Sequence, residues 1–589
     1  MPRTTLALTS FVSGEFGNKL TGRTDFEKYQ SAAKKMENFL VHPQGAATRR
    51  VGTQFIDEVK DSSKKTRLIP FEFSTTQTYI LEFGNQYIRF FKDKGQILSG
   101  GSAYEIASPY LEAELFEIKF AQSADVMYLV HPNHNVRKLS RTGHTSWSLA
   151  TVSFSGSPSL PISGSNNRPS CVSFYEQRLA FAGTNNNPQT IWFSKAGDYE
   201  NFTTGTNADD AMIYTIASNQ VNAIRYLKAQ RTLVVGTSGG EFTVSADGTD
   251  ASITPTNVTI KKQSSYGSAN VDAVAAGNAI LFLQKAKRKI RELAYNFDSD
   301  SYVAPDLTIL NDAVTESGIV QMEWQQEPDN ILWCVRDDGQ LAALTYQRSE
   351  AVVSWHRHIL GGSFGSGNAV VESIASISGV LNEDELWCIV KRTINGSTKR
   401  YVECFSDFNF DETDATDFKF LDSHLTYSGS ATTSLSGLSH LEGQTVSILA
   451  DGSVHANKTV SSGSITLDRS VTKAVVGLSY DSVLQTMRIE GGAAEGTSQG
   501  KTKRISKVVL RLFETVGVKV GPSLSNLETI PFRTTSSNLS APVETLLEGD
   551  KEIEFNDDFN SDGFIFIKQD QPLPASILAI YPTLVTNDG

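Results

Sequence analysis

The chain has 589 residues, of which 39% are hydrophobic and 20% charged, and a formal net charge of −12. This length and composition indicate several globular domains, and apolar runs such as 279–283 are far shorter than the roughly 20 residues of a membrane-spanning helix. The acidic charge argues against a protein that grips DNA through its phosphates. The four cysteines are widely spaced in apolar segments and no apolar signal-peptide core follows Met1, so we expect reduced thiols and folding in a cytoplasm.

The N-terminal segment, residues 1–60, is predicted to contain one short helix. Apolar side chains recur there at steps of three and four residues: Phe26, Tyr29, Ala33, Met36 and Phe39. This spacing places one apolar stripe along a helix, Asp25 suits the N-terminal cap, and Pro43 ends the element. Four basic residues are interpreted either as solvating this helix or as pairing with an acidic partner: Lys34, Lys35, Arg49 and Arg50.

Residues 61–414 are predicted to form a β-propeller of six to eight blades, so the fold is expected to be mainly β. A short apolar strand, followed about ten residues later by a second strand, recurs at intervals of roughly 50 residues. The first strands begin near Ile80, Val126, Leu179, Leu233, Ile280, Ile331 and Leu386. One four-stranded blade has this size, and blades bury their faces only against neighbours. A series of hairpins in β-sandwiches is the alternative.

Three further parts are expected after the propeller. Residues 415–490 are rich in Ser, Gly and Thr and are predicted to be a small inserted β-domain, and residues 491–502 a flexible connector. Residues 503–589 supply additional strands of a sandwich-like domain. We expect this C-terminal segment to join residues 1–60 in a common platform.

One segment imitates a phosphate-binding loop without meeting its requirements. In Gly496-Thr-Ser-Gln-Gly500-Lys501-Thr502 the spacing is one residue short, because Glu495 stands where the first glycine is needed. The residues that follow have the pattern of a strand, whereas a phosphate-binding loop opens a helix. Nucleotide binding is therefore not expected.

No other pattern indicates catalysis or a bound cofactor. The histidine pairs His131/His134 and His356/His358 have no cysteine or carboxylate at ligand spacing in the sequence. Ser245-Ala-Asp247 departs from the blade turn of sialidases, and no Gly-x-Ser-x-Gly elbow lies between a strand and a helix. We predict no catalytic residues, no cofactor and no metal, and a structural role in place of an enzymatic one.

The N-terminal sequence resembles the opening of the tail nozzle proteins of short-tailed phages, the family related to tail tubular protein B. Its pattern of Gly-Arg-x-Asp, Lys-Tyr, Asn-Phe and Arg-Arg-x-Gly-Thr is matched between residues 21 and 53. The matching positions are Gly22, Arg23, Asp25, Tyr29, Asn38, Phe39, Arg49, Arg50 and Gly52. Val51 stands where many members have proline, which is a mild departure.

Three later stretches extend this resemblance along the chain. The stretch 191–202 resembles a blade motif of the same proteins and contributes Trp192, Ser194, Asp198 and Phe202. The stretch 498–505 contributes Gly500 and Lys501, and the ending 571–582 also fits. All of these positions are expected to be structural.

The resemblance implies a structural protein of the virion, assembled in the host cytoplasm. It implies a ring of six subunits below the tail adaptor protein, which contains a β-propeller and encloses a channel through which DNA passes without specific binding. Contacts with tail fibres or spikes, and with the outer surface of the host, are compatible with that place in the tail.

Two other functions remain open at the level of sequence. A receptor- or glycan-binding propeller from another tail component is the main alternative, although the tryptophans Trp192, Trp333 and Trp387 lie in apolar strands and favour core packing over sugar stacking. A cellular protein-interaction propeller is disfavoured because no Gly-His and Trp-Asp blade signature recurs.

Overall fold

A computed structural model describes residues 3–156, 167–217, 220–248, 251–379, 383–407, 415–491, 497–532 and 546–587. Within these ranges no helix has the length and apolar character needed to cross a membrane. Helical residues occur only in short 3-10 turns, at Asn18–Leu20, Glu27–Tyr29, Glu112–Glu117, Arg348–Glu350, Ala415–Asp417 and Ser439–Leu441. The N-terminal strands are β1 (Arg3–Thr5), β2 (Gly14–Glu15), β3 (Ala32–Glu37), β4 (Phe39–Val41), β5 (Ala47–Arg49) and β6 (Thr53–Glu58).

Thirty-two strands follow in the central part of the chain. The first fifteen are β7 (Arg67–Ser74), β8 (Gln77–Gly84), β9 (Tyr87–Lys92), β10 (Gly95–Gln96), β11 (Leu98–Ser99), β12 (Ser102–Ala103), β13 (Glu105–Ala107), β14 (Lys119–Ser123), β15 (Val126–His131), β16 (His134–Gly143), β17 (Ser146–Thr151), β18 (Cys171–Tyr175), β19 (Arg178–Ala182), β20 (Thr190–Phe193) and β21 (Met212–Thr215). The others are β22 (Ile224–Ala229), β23 (Leu233–Thr237), β24 (Gly240–Ser245), β25 (Thr259–Ser264), β26 (Val274–Ala276), β27 (Ala279–Leu283), β28 (Ile290–Asn296), β29 (Ser301–Val303), β30 (Ile319–Gln325), β31 (Ile331–Arg336), β32 (Leu341–Gln347), β33 (Val352–His358), β34 (Ser363–Phe364), β35 (Gly367–Asn368), β36 (Val370–Ser378), β37 (Asp384–Ile394) and β38 (Ser397–Phe405).

Eleven strands complete the described chain. They are β39 (Asp422–Ser436), β40 (Thr445–Ala450), β41 (Ser453–Thr459), β42 (Ser464–Leu478), β43 (Ser482–Thr486), β44 (Thr502–Thr515), β45 (Lys519–Ser523), β46 (Asn526–Thr529), β47 (Leu547–Glu554), β48 (Phe566–Gln569) and β49 (Ser576–Asn587).

The central strands form a propeller, which confirms the predicted fold, and the described residues give seven blades. Blades 1 to 6 are the antiparallel sheets β7–β10, β14–β17, β18–β21, β22–β25, β26–β29 and β30–β33. In blade 7, β36, β37 and β38 are completed by β6, in which Gln54 pairs with Cys404. The N-terminal part of the chain therefore closes the ring.

Each pair of neighbouring blades encloses its own apolar cluster. The cluster between blades 7 and 1, for example, joins Leu68 and Ile80 to Ala375 and Trp387, all of which are buried. Because a blade has two apolar faces and buries each only against a neighbour, the ring is the arrangement in which no face is left open.

A β-sandwich combines the two ends of the chain. One sheet has the order β4-β5-β49-β44-β47 with β1 beside β49, and the other runs β2-β3-β43-β48-β45-β46. Aliphatic side chains from both sheets form a shared core, to which Met36, Leu484, Val508, Ile567 and Ile580 belong. The second sheet is continuous with blade 6, because β33 pairs with β2 and β3.

The prediction of an N-terminal helix is wrong, because residues 32–37 form strand β3, preceded by two short 3-10 turns at Asn18–Leu20 and Glu27–Tyr29. A β-bulge between Ala33 and Lys35 places Ala33 and Met36 on the same buried face, although they are three residues apart. Asn38, with φ of 56°, then breaks the strand before Phe39. Bulge and break together reproduce the spacing of a helical stripe.

The segment after the propeller contributes four strands, in the order β39-β42-β40-β41, which continue the sheet of blade 7 beyond β6. Its buried leucine, valine and isoleucine side chains form a core of their own. It contacts the propeller where His424 of β39 pairs in parallel with Gln54 of β6. The small domain is thus attached to the strand that closes the ring.

Candidate functional site: a buried arginine junction

Propeller, sandwich and small domain meet around two adjacent arginines. We call Asn38, Arg49, Arg50, Asp422 and Tyr480 the arginine junction. All five are buried. Arg49 ends β5 of the sandwich, and Asp422 begins β39 of the small domain. These side chains therefore connect parts of the fold that lie far apart in the sequence.

Arg50 makes a bidentate ion pair with Asp422. Its Nη1 and Nη2 atoms lie 2.8 and 2.7 Å from the two carboxylate oxygens, and the side chains are 1% and 0% exposed. Burial alone would lower the pKa of Arg50, but the Asp422 charge outweighs it and the pKa is raised. The carbon of the guanidinium also lies 3.7 Å from the ring centroid of Tyr480. The pair is therefore ionised and held in one geometry.

Arg49 is satisfied without a carboxylate. It donates hydrogen bonds to the carbonyl oxygens of Tyr480 (3.0 Å), Leu573 (2.8 Å) and Gln571, and to Oγ of Ser482 (3.1 Å). Burial lowers its pKa. The guanidinium thus ties the N-terminal strand to the residues that lead into the last strand of the sandwich.

Asn38 links the end of blade 6 to the sandwich. Its Nδ2 donates to the carbonyl oxygens of Ile359 (3.0 Å) and Asp481 (2.7 Å). Its Oδ1 accepts from the backbone N–H of Ile359 (3.0 Å) and from Nε of Arg50 (2.9 Å). All four hydrogen-bonding positions of the amide are used, which makes this side chain a bridge between domains.

A second buried ion pair extends the junction into blade 7. Arg392 donates to both carboxylate oxygens of Glu403, and each side chain is 0% exposed. Thr53 connects the two pairs, since its Oγ1 donates to Glu403 (2.7 Å) while its backbone N–H donates to Asp422 (3.1 Å). The outcome is a continuous polar network in the interior.

Gly52 permits the close packing of β6 against the small domain. A Cβ atom at this position would lie 1.8 Å from the carbonyl oxygen of Leu421, so no side chain is tolerated without movement of the backbone.

Two aromatic residues of the N-terminal motif are buried. Phe39 is fully buried in the sandwich core. Tyr29 is also buried, donates to the carbonyl oxygens of Thr21 and Arg488, and has its pKa raised by burial to about 12.

The first part of the N-terminal motif is on the surface. Arg23 and Asp25 form an ion pair with Nε and Nη2 of the arginine 2.8 and 2.9 Å from the carboxylate oxygens, and both side chains are more than half exposed. Gly22 has open space around it. These three residues contribute nothing to the arginine junction.

The motif residues of blade 3 form a separate cluster. Trp192 and Phe202 are buried between blades 2 and 3. Oγ of Ser194 accepts from the backbone N–H of Leu179 (2.9 Å) and donates to the carbonyl oxygen of Lys195. Asp198 lies in the turn that follows, where its N–H donates to the Lys195 carbonyl oxygen. These contacts lie within blade 3 and at its boundary with blade 2, distant in sequence from the junction.

The segment that resembles a phosphate-binding loop forms a turn that leads into β44. Gly500 has φ of 80°, and Lys501 directly precedes that strand. Glu490 accepts hydrogen bonds from the backbone N–H of Ser498 and the hydroxyl of Thr497. A strand follows this turn, as the sequence indicates. Part of the predicted connector, residues 492–496, lies outside the described residues.

The interpretation of the basic residues as a solvated face is wrong for Arg49 and Arg50, which are buried. The sequence analysis did not identify Asp422 and Tyr480 as the acidic and aromatic partners of these arginines, because they lie more than 370 residues further along the chain. Sequence reading also missed Glu114, which the fold places beside His131 and His134.

A cavity of about 280 Å³ lies next to the junction, between blades 6 and 7. Apolar side chains form part of its wall and carboxylates lie among its other lining residues: Ile331, Trp333, Leu386, Phe405, Asp93, Asp329, Asp384 and Asp407. Trp333 is only 3% exposed, and four of the other five tryptophans are buried as well. Among the described residues, tryptophan rings that could stack on sugars are therefore scarce at the surface.

Comparison with solved structures finds β-propellers of the WD40 type. The WD40 domain of Neurospora crassa Pan2 is 9% identical, with a TM-score of 0.37, over 62% of this chain and 96% of the other. The propeller domain of Cps50 (Swd1) from Myceliophteria thermophila is 8% identical (TM-score 0.35; 60% and 100% covered), and the WD40 repeats of RRP9 are 9% identical (0.37; 61% and 100%). No family model and no curated protein matches the sequence.

Proposed function

We propose that the chain is a structural subunit of the tail nozzle of a short-tailed phage. In this role it forms a ring-shaped conduit for DNA, docked below the tail adaptor, and performs no catalysis. The observation that supports the proposal best is the convergence of separate parts of the nozzle-like sequence. Arg49 of the N-terminal motif donates to the carbonyl oxygens of Gln571 and Leu573, which belong to the C-terminal motif.

This convergence gives the motifs a physical meaning. Asn38, Arg49, Arg50 and Gly52 hold propeller, sandwich and small domain in a fixed arrangement, which suits a part that transmits or resists force. The acidic net charge of the chain, −12 per subunit, suits a conduit for DNA because it repels the DNA phosphates. The exposed residues Arg23 and Asp25 are free for contact with the adaptor or a neighbouring subunit.

The decisive measurement is the mass of the full chain in solution, by native mass spectrometry, with and without adaptor-bearing tails. The proposal predicts a ring of six subunits, formed either alone or on the tail. A charge swap, Arg23→Asp with Asp25→Arg, should reduce joining to the tail. The matched control is Arg511→Asp with Asp550→Arg, another surface ion pair in the sandwich, about half exposed and with the same 2.8 Å distance.

Each result has a clear meaning. A stable monomer or trimer that binds cell-surface glycans and never joins tails would overturn the nozzle proposal and favour a receptor-binding propeller. Equal loss of joining in both charge-swapped variants would show that the exposed part of the N-terminal motif has no particular role in docking.

A further inference from the structure

Two histidines and a glutamate converge at the boundary of blades 1 and 2. One ligand atom each of Glu114, His131 and His134 can be chosen so that all three lie within 4.8 Å of one another. Oε2 of Glu114 is 2.8 Å from Nε2 of His134. A second carboxylate is close, since Oε2 of Glu117 lies 3.6 Å from Nε2 of His131. This donor set is unrelated to the arginine junction.

The fold assembles the cluster from two separate segments. Glu114 and Glu117 belong to the 3-10 turn Glu112–Glu117, which connects blade 1 to blade 2. His131 ends β15 and His134 begins β16, so the tight turn between these strands presents both imidazoles on the same side. Asn133 in that turn also donates to Oε1 of Glu114 (3.2 Å). The connection and the hairpin are thereby already held together.

His131 has an unusual environment for a histidine. Its side chain is 0% exposed, and its Nε2 atom makes no hydrogen bond to any described residue. Nδ1 accepts a hydrogen bond from the backbone N–H of Asn133 (3.0 Å). Metal binding at Nε2 would move the ring proton to Nδ1 and break this bond. A buried imidazole nitrogen without a partner is costly, and a ligand that used it would remove that cost.

We propose that Glu114, His131 and His134 bind a divalent transition metal of the Zn²⁺ class. Two imidazole nitrogens with one carboxylate match the preferences of Zn²⁺, Co²⁺ and Ni²⁺, whereas Ca²⁺ and Mg²⁺ require mainly oxygen ligands. Water completes the coordination, and Glu117 supports it from the outer shell. The metal fastens the connection between blades 1 and 2 to the β15–β16 hairpin.

The test uses the full chain, stripped of metal with a chelator and then titrated with Zn²⁺ by calorimetry and with Co²⁺ by visible absorption. The expected result is one ion per chain, a Co²⁺ spectrum of a nitrogen- and oxygen-ligated site, and a higher melting temperature. His134→Ala and Glu114→Gln should weaken binding by more than about 100-fold, since even outer-shell partners are worth about 10–100-fold.

Two controls separate ligation from folding. Glu114→Gln keeps an oxygen that can accept the Leu111 N–H, so the turn is preserved while the charge is lost. Glu112→Gln, in the same turn, should leave binding unchanged, and Glu117→Gln should weaken it by about 10-fold. Failure of the folded wild-type chain to bind either ion, or equal binding by the Glu114→Gln and Glu112→Gln variants, would overturn the proposal.

Discussion

At the scale of single residues, the adjacent arginines Arg49 and Arg50 have different partners in the arginine junction. Arg50 is neutralised by Asp422, while Arg49 is satisfied by carbonyl oxygens and the hydroxyl of Ser482, without a carboxylate. The sequence allows Arg49 and Arg50 to be singled out because they belong to a recognisable motif. It cannot show their partners, because a buried ion pair has no local signal when its members are separated by the whole propeller.

The Arg50–Asp422 pair predicts a non-additive loss of stability. Arg50→Met should destabilise the protein by about 3–5 kcal/mol, because it leaves an uncompensated charge in the interior. The double variant Arg50→Met with Asp422→Leu should lose less than Arg50→Met alone, since neither charge remains buried. Urea unfolding of both variants measures this difference.

The matched control is Arg23→Met, which removes an arginine with similar ion-pair geometry on the surface, where such pairs contribute little. It should not measurably change the urea midpoint. If Arg50→Met were as stable as Arg23→Met, the junction would not stabilise the fold.

At the scale of elements, the sequence locates the central strands of the blades and misses their edges. The strands expected near Val126, Leu179, Leu233 and Ile280 are the second strands of their blades, and almost all of their residues are buried. Outer strands such as β25 and β29 contain no fully buried residue and have no long apolar run. The number of repeats is therefore readable, although most blade edges are not.

The closing strand β6 could not have been assigned from its sequence. It was expected within an N-terminal arm of residues 1–60, and its partner β38 lies some 340 residues further along the chain. Nothing in a six-residue strand indicates a partner at that distance. For the same reason, residues 1–60 cannot be removed without opening blade 7.

Strand β33 predicts a loss of stability in acid. His356 and His358 lie on the same face of this strand, 2.7 Å apart between Nδ1 and Nε2, and both are buried. Burial lowers the pKa of His356 to about 3 and holds that of His358 well below its ordinary value. The unfolded chain takes up protons below about pH 6.5, whereas the folded chain does not. The stability that the folded protein gains from keeping His356 neutral is therefore fully present above pH 6.5 and declines as the pH falls towards 3.

The measurement is the melting temperature between pH 7 and 4, compared with that of His356→Gln, whose amide can still hydrogen bond to Thr345 and His358. The variant should be less stable at pH 7 but should lose less stability on acidification. Parallel pH profiles for the two proteins would show that His356 is not responsible.

At the scale of the whole molecule, propeller and sandwich share one sheet. Because β33 of blade 6 pairs with β2 and β3, and Asn38 bonds to both Ile359 and Asp481, neither unit has a free boundary at this place. We predict that scanning calorimetry of the full chain shows one cooperative transition. Two well-separated transitions would contradict this expectation.

Asn38→Ala should broaden that transition or divide it, because the variant loses the hydrogen bonds between the domains. Asn395→Ala is the matched control: Asn395 also has a positive φ (47°, against 56° at Asn38), but it lies in an exposed hairpin turn. The cost of the backbone conformation is thus common to both variants. Only the first should alter cooperativity.

The closure of blade 7 by β6 also has a consequence for biosynthesis. A ribosome makes β6 before any blade and β38 only after the other six, which at about 5–20 residues per second is a delay of roughly 20–70 s. During that time the nascent propeller is an open arc with unsatisfied strand edges, the kind of surface on which chains aggregate. Ring closure is thus a late, long-range event, and chaperone demand during translation should be greatest just before β38 emerges.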